Sequence, residues 1–440
     1  MSILKIETNF RRNLFWNKTK VNFNKELGNI EKGLINVYPD EFFQKIIGFG
    51  GAFTESSGYC LKQVKEEIAD IIMNDYFTEK GLNYSFCRTP IGSTDFSLSS
   101  YSYIKKNINE FSIERDEQYI IPMIKNALNK NPYLQLLSSP WSPPKVMKSS
   151  KRLVLGGKLL EEYYKLYAEY LAKYVLEYEK RGINIKYLTI QNEPNATQIW
   201  ESCVFSAEEE AHFANNYLYP QFKKSGIKTK ILAWDHNKER LYSRSKEIFK
   251  IAPLTIAGMA MHWYSGDYFE EIELTRNRFP DKLLVHTEGC TGYSNFRKND
   301  EVKNAEIYGH DIIGDLNAGV NGFIDWNIIL DNKGGPNHKH NYCNAPIMLN
   351  KNNTGYIKNL TYYYIGHFSK YIKPNAIKIG ISKYTTDIEA TAFKNPDNSI
   401  VVVLLNRNEF NKEFSLNLNG KVFHDNLDKH AIVTFLIEST

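Results

Sequence analysis

Cysteine is scarce and scattered in this chain: five residues, Cys60, Cys87, Cys203, Cys290 and Cys343, with no CxxC pair. An odd number at such wide spacing excludes a disulfide framework and offers no zinc-ligand pattern. The N-terminus, MSILKIETNFRRN, lacks the apolar stretch of roughly 7–15 residues that a secretory signal needs. Nor does any run approach the roughly 20 apolar residues that span a bilayer. A cytoplasmic protein without stable membrane insertion is therefore the expectation. Charge of one sign is never concentrated, because 55 Lys and Arg interleave with 50 Asp and Glu for a net +5. That pattern reads as a solvated surface, and no nucleic-acid partner is expected. The glycine-rich GFGGAF turn lacks the GxGxxG spacing and no P-loop is present, so nucleotide binding has no support. His338 and His340, in a Gly/Pro/Asn loop with a lysine between them, do not make a metal centre. No metal or other cofactor is expected. The sequence carries no signal that sets an oligomeric state.

What the chain does have is 42% hydrophobic residues over 440 positions, enough for a large core, and 14% aromatics, with 29 Tyr, 25 Phe and 6 Trp. Its organisation is a recurring phrase: a short apolar strand ending in polar or reactive residue types. The phrases are KIIGFGGAFTES, YSFCRTPIGSTDF, LQLLSSPWSPP, IKYLTIQNEP, KTKILAWDHN, AGMAMHWYS, KLLVHTEGC and GFIDWNIIL. They recur about every 40 residues, as βα units with loop insertions do. Helical patterns lie between them. Leu159–Gly182 has apolar residues at 3–4 spacing and ends on glycine, while Ser206 with Glu209 fits a capping box. The fold class predicted is α/β: a (β/α)8 barrel over residues 41–371, with an open doubly wound sheet as runner-up. Beyond residue 371 the texture changes to short Val/Ile/Leu-rich strands such as SIVVVLLN and AIVTFLI. With strand-like residues 1–40, residues 372–440 are read as one discontinuous β-sandwich domain packed beside the barrel.

In such a barrel the chemistry sits where strands end at the C-terminal face. Those ends carry Asp95, Trp141, Asn192, Glu193, Asp235, His236, His262, Trp263, Glu288, Asp325 and Trp326. Glu193 closes the fourth strand in Gln-Asn-Glu-Pro and Glu288 closes the seventh in His-Thr-Glu-Gly-Cys. Two carboxylates at one mouth suit the cleavage of a glycosidic bond. One delivers a proton to a poor leaving group; the other stabilises or attacks an oxocarbenium-like centre. A separation of about 5–5.5 Å allows direct attack and retention, whereas about 6.5–9.5 Å admits a water and inverts. The residues by themselves leave that choice open.

At these motifs the chain resembles glycoside hydrolase family 30, in the branch containing acid β-glucosylceramidase. The resemblance runs through GFGGAFTES, FCRTPIGSTDFSLSSYSY, LLSSPWSPPKVMK, TIQNEP, MHWY, HTEGC and DWNIILDNKGGPNHKHNYCNAPI into VVVLLNR. It implies a retaining β-glycosidase with Glu193 as acid/base and Glu288 as nucleophile. It also implies that Asp95, Trp141, Asn192, Trp326 and Asn341 bind the sugar, with His262, Trp263 and Tyr264 beside the nucleophile. His262 and Tyr264 are carried as substrate-binding candidates, against a reading in which they form a packed wall that orients Glu288. Arg88 is read as a buried partner for a carboxylate. The expected partner is a small glycoside or oligosaccharide with a β-glucosyl-type unit. Alternatives within the family are a β-1,6-glucanase, a β-xylosidase or a β-fucosidase; outside it stand a metal-dependent barrel hydrolase and a non-catalytic sugar-binding protein. The segments KVMKSSKRLVLGGKLL and NATQIWESCVF depart from the lysosomal enzyme where a leaving group would sit, which weakens the case for ceramide there.

Overall fold

The computed structural model describes residues 3–23, 33–292 and 300–438. Eight parallel strands close into a barrel: β1 (Gly48–Ala52), β2 (Phe86–Ile91), β3 (Gln135–Pro140), β4 (Ile185–Thr189), β5 (Lys230–Asn237), β6 (Ile256–His262), β7 (Leu283–Glu288) and β8 (Gly322–Asn327). Closure is made by β8 on β1, with Gly322 opposite Gly48. Helical chain follows every strand, which covers the outside of the barrel and explains why the strands are apolar on both faces. The predicted barrel is the barrel observed.

Side chains alternate along each strand, and this period of two organises the interior. Phe86, Leu137, Tyr187, Leu232, Ala260, Val285 and Ile324 meet in an apolar layer inside the barrel. Two residues further on, four of these strands place Arg88, Ser139, Thr189 and Thr287 in a fully buried polar layer. The intervening residues Cys87, Leu136, Leu188, Met261 and Leu284 face outward into the core shared with the helices. β5 breaks the rule. A bulge between Trp234 and His236, with Trp234 (φ 74°) and Asp235 (φ 51°) both left-handed, inserts one extra residue. Trp234 is thereby turned outward, under the Arg244 guanidinium at 5.0 Å. Asp235, three rather than two positions after Leu232, takes the inward place.

The helix Tyr164–Lys180 ends with Gly182 at φ 79°, its N–H on the Glu179 carbonyl at 2.9 Å. Ser206 and Glu209 form the reciprocal capping box read from the sequence.

The remaining chain forms a nine-stranded sheet in the order Lys421–Leu427, Lys412–Leu418, Leu34–Lys45, Ile377–Lys383, Glu389–Lys394, Ile400–Asn406, Ala431–Ile437, Ile3–Asn9, Leu14–Val21. N-terminal strands thus join the C-terminal ones, and the sheet folds over a core of its own that includes Ile3, Val37, Leu404, Leu416 and Phe435. Ile400–Asn406 shows the double use of such a strand: Val402 and Leu404 enter that core, while Val401, Val403 and Leu405 pack against the barrel's helices. The strand Leu34–Lys45 runs past the boundary read at residue 40, with Lys45 still opposite Ile377. Pro39-Asp40 reads as a turn, but two register shifts carry the strand through it. Residues 24–32 of the expected N-terminal segment lie outside the described residues. Among the described residues no helix is long and apolar enough to cross a membrane.

Candidate active site

The C-terminal ends of the strands open into one cavity lined by Glu193, Glu288, Asp95, Trp141, Asn192, Tyr264, Trp326 and Asn341. Of the site residues read from the sequence, only His262 is missing from that lining. It is fully buried, with Nδ1 3.2 Å from Glu193 Oε1 and Nε2 3.1 Å from Asp235 Oδ1. Both ring nitrogens are spent on carboxylates, so His262 stands behind the wall rather than on the substrate. Trp263 likewise faces outward, packed on His286, Tyr308 and Phe323. Asp325 points away from the mouth too, accepting from the Tyr308 hydroxyl at 2.6 Å, because alternation sends its neighbours Ile324 and Trp326 inward.

Glu193 comes after β4 in a left-handed conformation (φ 48°) that a glutamate does not adopt freely. Its N–H on the Asp235 carbonyl at 2.9 Å, and its own carbonyl under the Ala196 N–H at 2.9 Å, hold it there. Glu288 ends β7 and is anchored at both oxygens: Arg88 Nη1 donates to Oε2 at 2.5 Å and the Tyr264 hydroxyl to Oε1 at 3.0 Å. A carboxylate oxygen from each of Glu193 and Glu288 and a nitrogen of His262 lie within 4.8 Å of one another.

Beneath the pair, Asp235 acts as the hub. Its Oδ2 accepts from Arg88 Nη2 and Ser139 Oγ, both at 2.8 Å, and from Thr189 Oγ1 at 2.6 Å; its Oδ1 accepts from Thr287 Oγ1 at 2.6 Å and faces His262. Burial works against its charge, but Arg88 and His262 hold the carboxyl far below the usual range. Arg88, fully buried, also donates to Asn192 Oδ1 at 2.8 Å and lies 4.6 Å over the Trp141 ring. With its oxygen fixed on Arg88, Asn192 is left with its amide N–H groups as donors for the cavity.

Burial opposes the charged form of His262 as well. The negative charge of Glu288 and the hydrogen bonds to Asp235 and Glu193 outweigh it and push the imidazole up to about 9. Burial raises the Glu193 carboxyl, but the His262 hydrogen bond and charge bring it below its usual value. Glu288 is raised by burial and by the charge of Glu193, against the pull of His262 and Arg88. The shared proton therefore rests on His262.

Part of the cavity wall is built from Trp141 and Trp326, stacked at 5.3 Å and 20°, and from Asp95. Asn337 and Asn341 donate to Asp95 Oδ2 at 3.1 and 3.0 Å. Burial dominates these bonds and pushes the Asp95 carboxyl up to about 7. The lining also includes His236, one of the strand-end residues, and Gln198, Trp200 and Asn237, to which sequence reading assigns no role; the segment NATQIW and the strand end WDHN are the signals that point to them. His338 and His340 turn to separate partners, Ser97 O at 3.0 Å and Tyr342 OH at 3.0 Å.

Residues 46–372 match the Glycosyl hydrolase family 30 TIM-barrel domain, and residues 375–435 match the family's beta sandwich domain. The chain is 36% identical over 406 residues to "Putative glucosylceramidase 4" of Caenorhabditis elegans, covering 86% of this chain and 78% of the relative. Among solved structures, SrfJ from Salmonella typhimurium superposes with a TM-score of 0.96 at 35% identity, and the endo-beta1,6-glucanase BT3312 with 0.91 at 29%, each covering 100% of both chains. The barrel and the sandwich agree with these matches: this chain is a glycoside hydrolase and belongs to glycosyl hydrolase family 30.

Proposed function

We propose that the protein is a retaining β-glycosidase that removes a β-linked glucosyl-type unit, with Glu288 as nucleophile and Glu193 as acid/base. The observation that carries this reading is that an oxygen of each carboxylate lies within 4.8 Å of the other, which suits the about 5–5.5 Å between carboxyl groups of retaining pairs better than the about 6.5–9.5 Å of inverting ones. Their surroundings divide the roles. Glu288 is gripped at both oxygens, with the Arg88 ion pair pulling its carboxyl down against burial. Glu193 has one side-chain partner, His262, through which it can gain or lose a proton.

In the first step Glu288 attacks the anomeric carbon as the bond to the leaving oxygen breaks, and Glu193 protonates that oxygen. Forming the ester removes the negative charge of Glu288, the chief influence raising His262. His262 becomes more acidic as the leaving group needs a proton, so attack favours proton transfer along the 3.2 Å Nδ1···Oε1 line. In the second step Glu193 takes a proton from water, the water attacks, and the regained Glu288 charge draws the proton back to His262.

The cavity lining adds the polar Gln198, His236 and Asn237 to Trp200, which favours a hydroxylated aglycone over a ceramide. The neighbour BT3312, an endo-beta1,6-glucanase, supports an oligosaccharide as the second reading. A panel of nitrophenyl β-glucoside, β-xyloside and β-fucoside with gentiobiose and glucosylceramide tests both points. The glucoside is expected to lead the aryl series, and gentiobiose to exceed glucosylceramide. Turnover of the xyloside or fucoside alone would overturn the glycone, and a preference for glucosylceramide would overturn the aglycone.

A further inference from the structure

The sugar cavity holds two thiols for which the hydrolytic chemistry has no use. Cys290 comes directly after Glu288-Gly289 at the end of β7, and Cys343 lies in the loop after β8; the two are 6% and 1% exposed and both line the cavity. Both belong to one buried cluster with Trp141 and Trp326. Their two segments are joined directly beside them by Asn344 N–H on the Thr291 carbonyl at 3.0 Å. Tyr264, whose hydroxyl donates to Glu288, is 3.5 Å from Cys290 Sγ. The other three cysteines, Cys60, Cys87 and Cys203, sit in the main core rather than at the cavity.

The neighbourhood decides which chemistry suits the pair. Burial, the adjacent Cys290 thiol and the charges of Asp95 and Asp325 all push the Cys343 thiol well above its ordinary value. Peroxide oxidation and disulfide exchange need a thiolate and are slow at such a site. A neutral reagent that bridges two thiols and carries its own base is not hindered in that way. Arsenous acid is one: As(OH)3 and two S–H groups give HO–As(S–)2 and two waters. Two As–O bonds and two S–H bonds break, and two As–S bonds form. Each thiol proton leaves on a departing hydroxide, and arsenic stays trivalent. Its pyramidal bonds draw two sulfurs together, which fits thiols on two segments joined side by side, whereas a linear two-coordinate ion holds them apart.

We propose that Cys290 and Cys343 form a two-thiol site in the floor of the sugar cavity that binds trivalent arsenic compounds, and that its occupation closes the cavity. The bridged arsenic and its hydroxyl would stand beside Glu288 and take the Cys290 sulfur from Tyr264. The loss of turnover rests on the glycosidase reading above; the binding does not.

The test uses the full chain and arsenous acid alone, with thiols counted after denaturation, intact mass, and nitrophenyl β-glucoside hydrolysis. One arsenic per chain is expected, with two of the five thiols lost. Turnover is expected to fall more than tenfold and to return with 2,3-dimercaptopropanol but not with an equal concentration of 2-mercaptoethanol. Cys343→Val, referred to its own untreated activity, is expected to need at least tenfold more reagent and to keep no adduct; Cys290→Ala, read by mass and thiol count, is expected to keep none either. Five free thiols in treated wild type, or an adduct surviving in both variants, would overturn the site. If wild type hydrolyses no glycoside, thiol count and mass still decide the binding. An adduct without loss of turnover would overturn the closure.

Discussion

Asp235→Asn replaces one oxygen of the hub by an amide and removes one negative charge beneath the catalytic pair. The amide nitrogen cannot sit at the Oδ2 position, where Arg88, Ser139 and Thr189 all donate. It must take the Oδ1 position and face Thr287, which can present a lone pair after rotation, and His262, which does so only on giving up its Nε2 proton. Breaking a buried pair on one side costs about 3–5 kcal/mol. Arg88 keeps Glu288 and the Asn192 carbonyl, so the lower end, about 3 kcal/mol, is expected. For a cooperative unit the size of the barrel that is roughly 4 °C in Tm. The pH dependence is diagnostic. His262 has a raised folded pKa, so its contribution is full below the unfolded value of about 6.5 and is lost as pH rises through about 9. The shift corresponds to roughly 3 kcal/mol, read from the pair that His262 forms with Glu193. Asp235 itself titrates far below this window, so its own pairing adds a constant there. Thermal unfolding of wild type and variant from pH 6 to 9.5 is expected to show the loss of roughly 4 °C at pH 6 and a shallower fall towards pH 9. A variant within about 1 °C of wild type, with an unchanged slope, would refute the hub.

Glu193→Ala is expected to lower kcat/KM for gentiobiose at least a hundredfold more than for dinitrophenyl β-glucoside, whose leaving group needs no proton; equal losses would remove the acid role. Asp95, held up to about 7 by burial, gains its charge between pH 6 and 8. Glycone affinity, read as the Ki of a neutral sugar inhibitor, is expected to vary over that interval in wild type and to be flat in Asp95→Asn. Ser206→Ala removes one half of a capping box whose residues do not line the pocket; about 1 kcal/mol of stability is expected to go, with kcat/KM unchanged.

Glu193 and Glu288 are legible in the sequence because each closes an apolar run, and alternation counted from Phe86 puts Arg88 inside as well. The role of Asp235 is not legible. Counting by two from Leu232 arrives at Trp234, and only the left-handed bulge, which no residue type there demands, exchanges the two. His262 is placed at the right strand end by its motif, but its burial comes from how deep β6 carries it. The end of Leu34–Lys45 is obscured by Pro39-Asp40, a pair that reads as a turn and is a bulged strand. The meeting of Cys290 with Cys343 depends on the path of a long loop after β8, where sequence periodicity gives no guide.

The central claim, that Glu288 attacks the sugar, is tested most directly by Glu288→Gly supplied with azide. Turnover of nitrophenyl β-glucoside is expected to fall by more than a thousandfold. Azide, entering the vacated side of the anomeric carbon, is expected to restore it and to yield the α-glucosyl azide. Near-normal turnover without azide, or a β-configured azide product, would contradict the assignment.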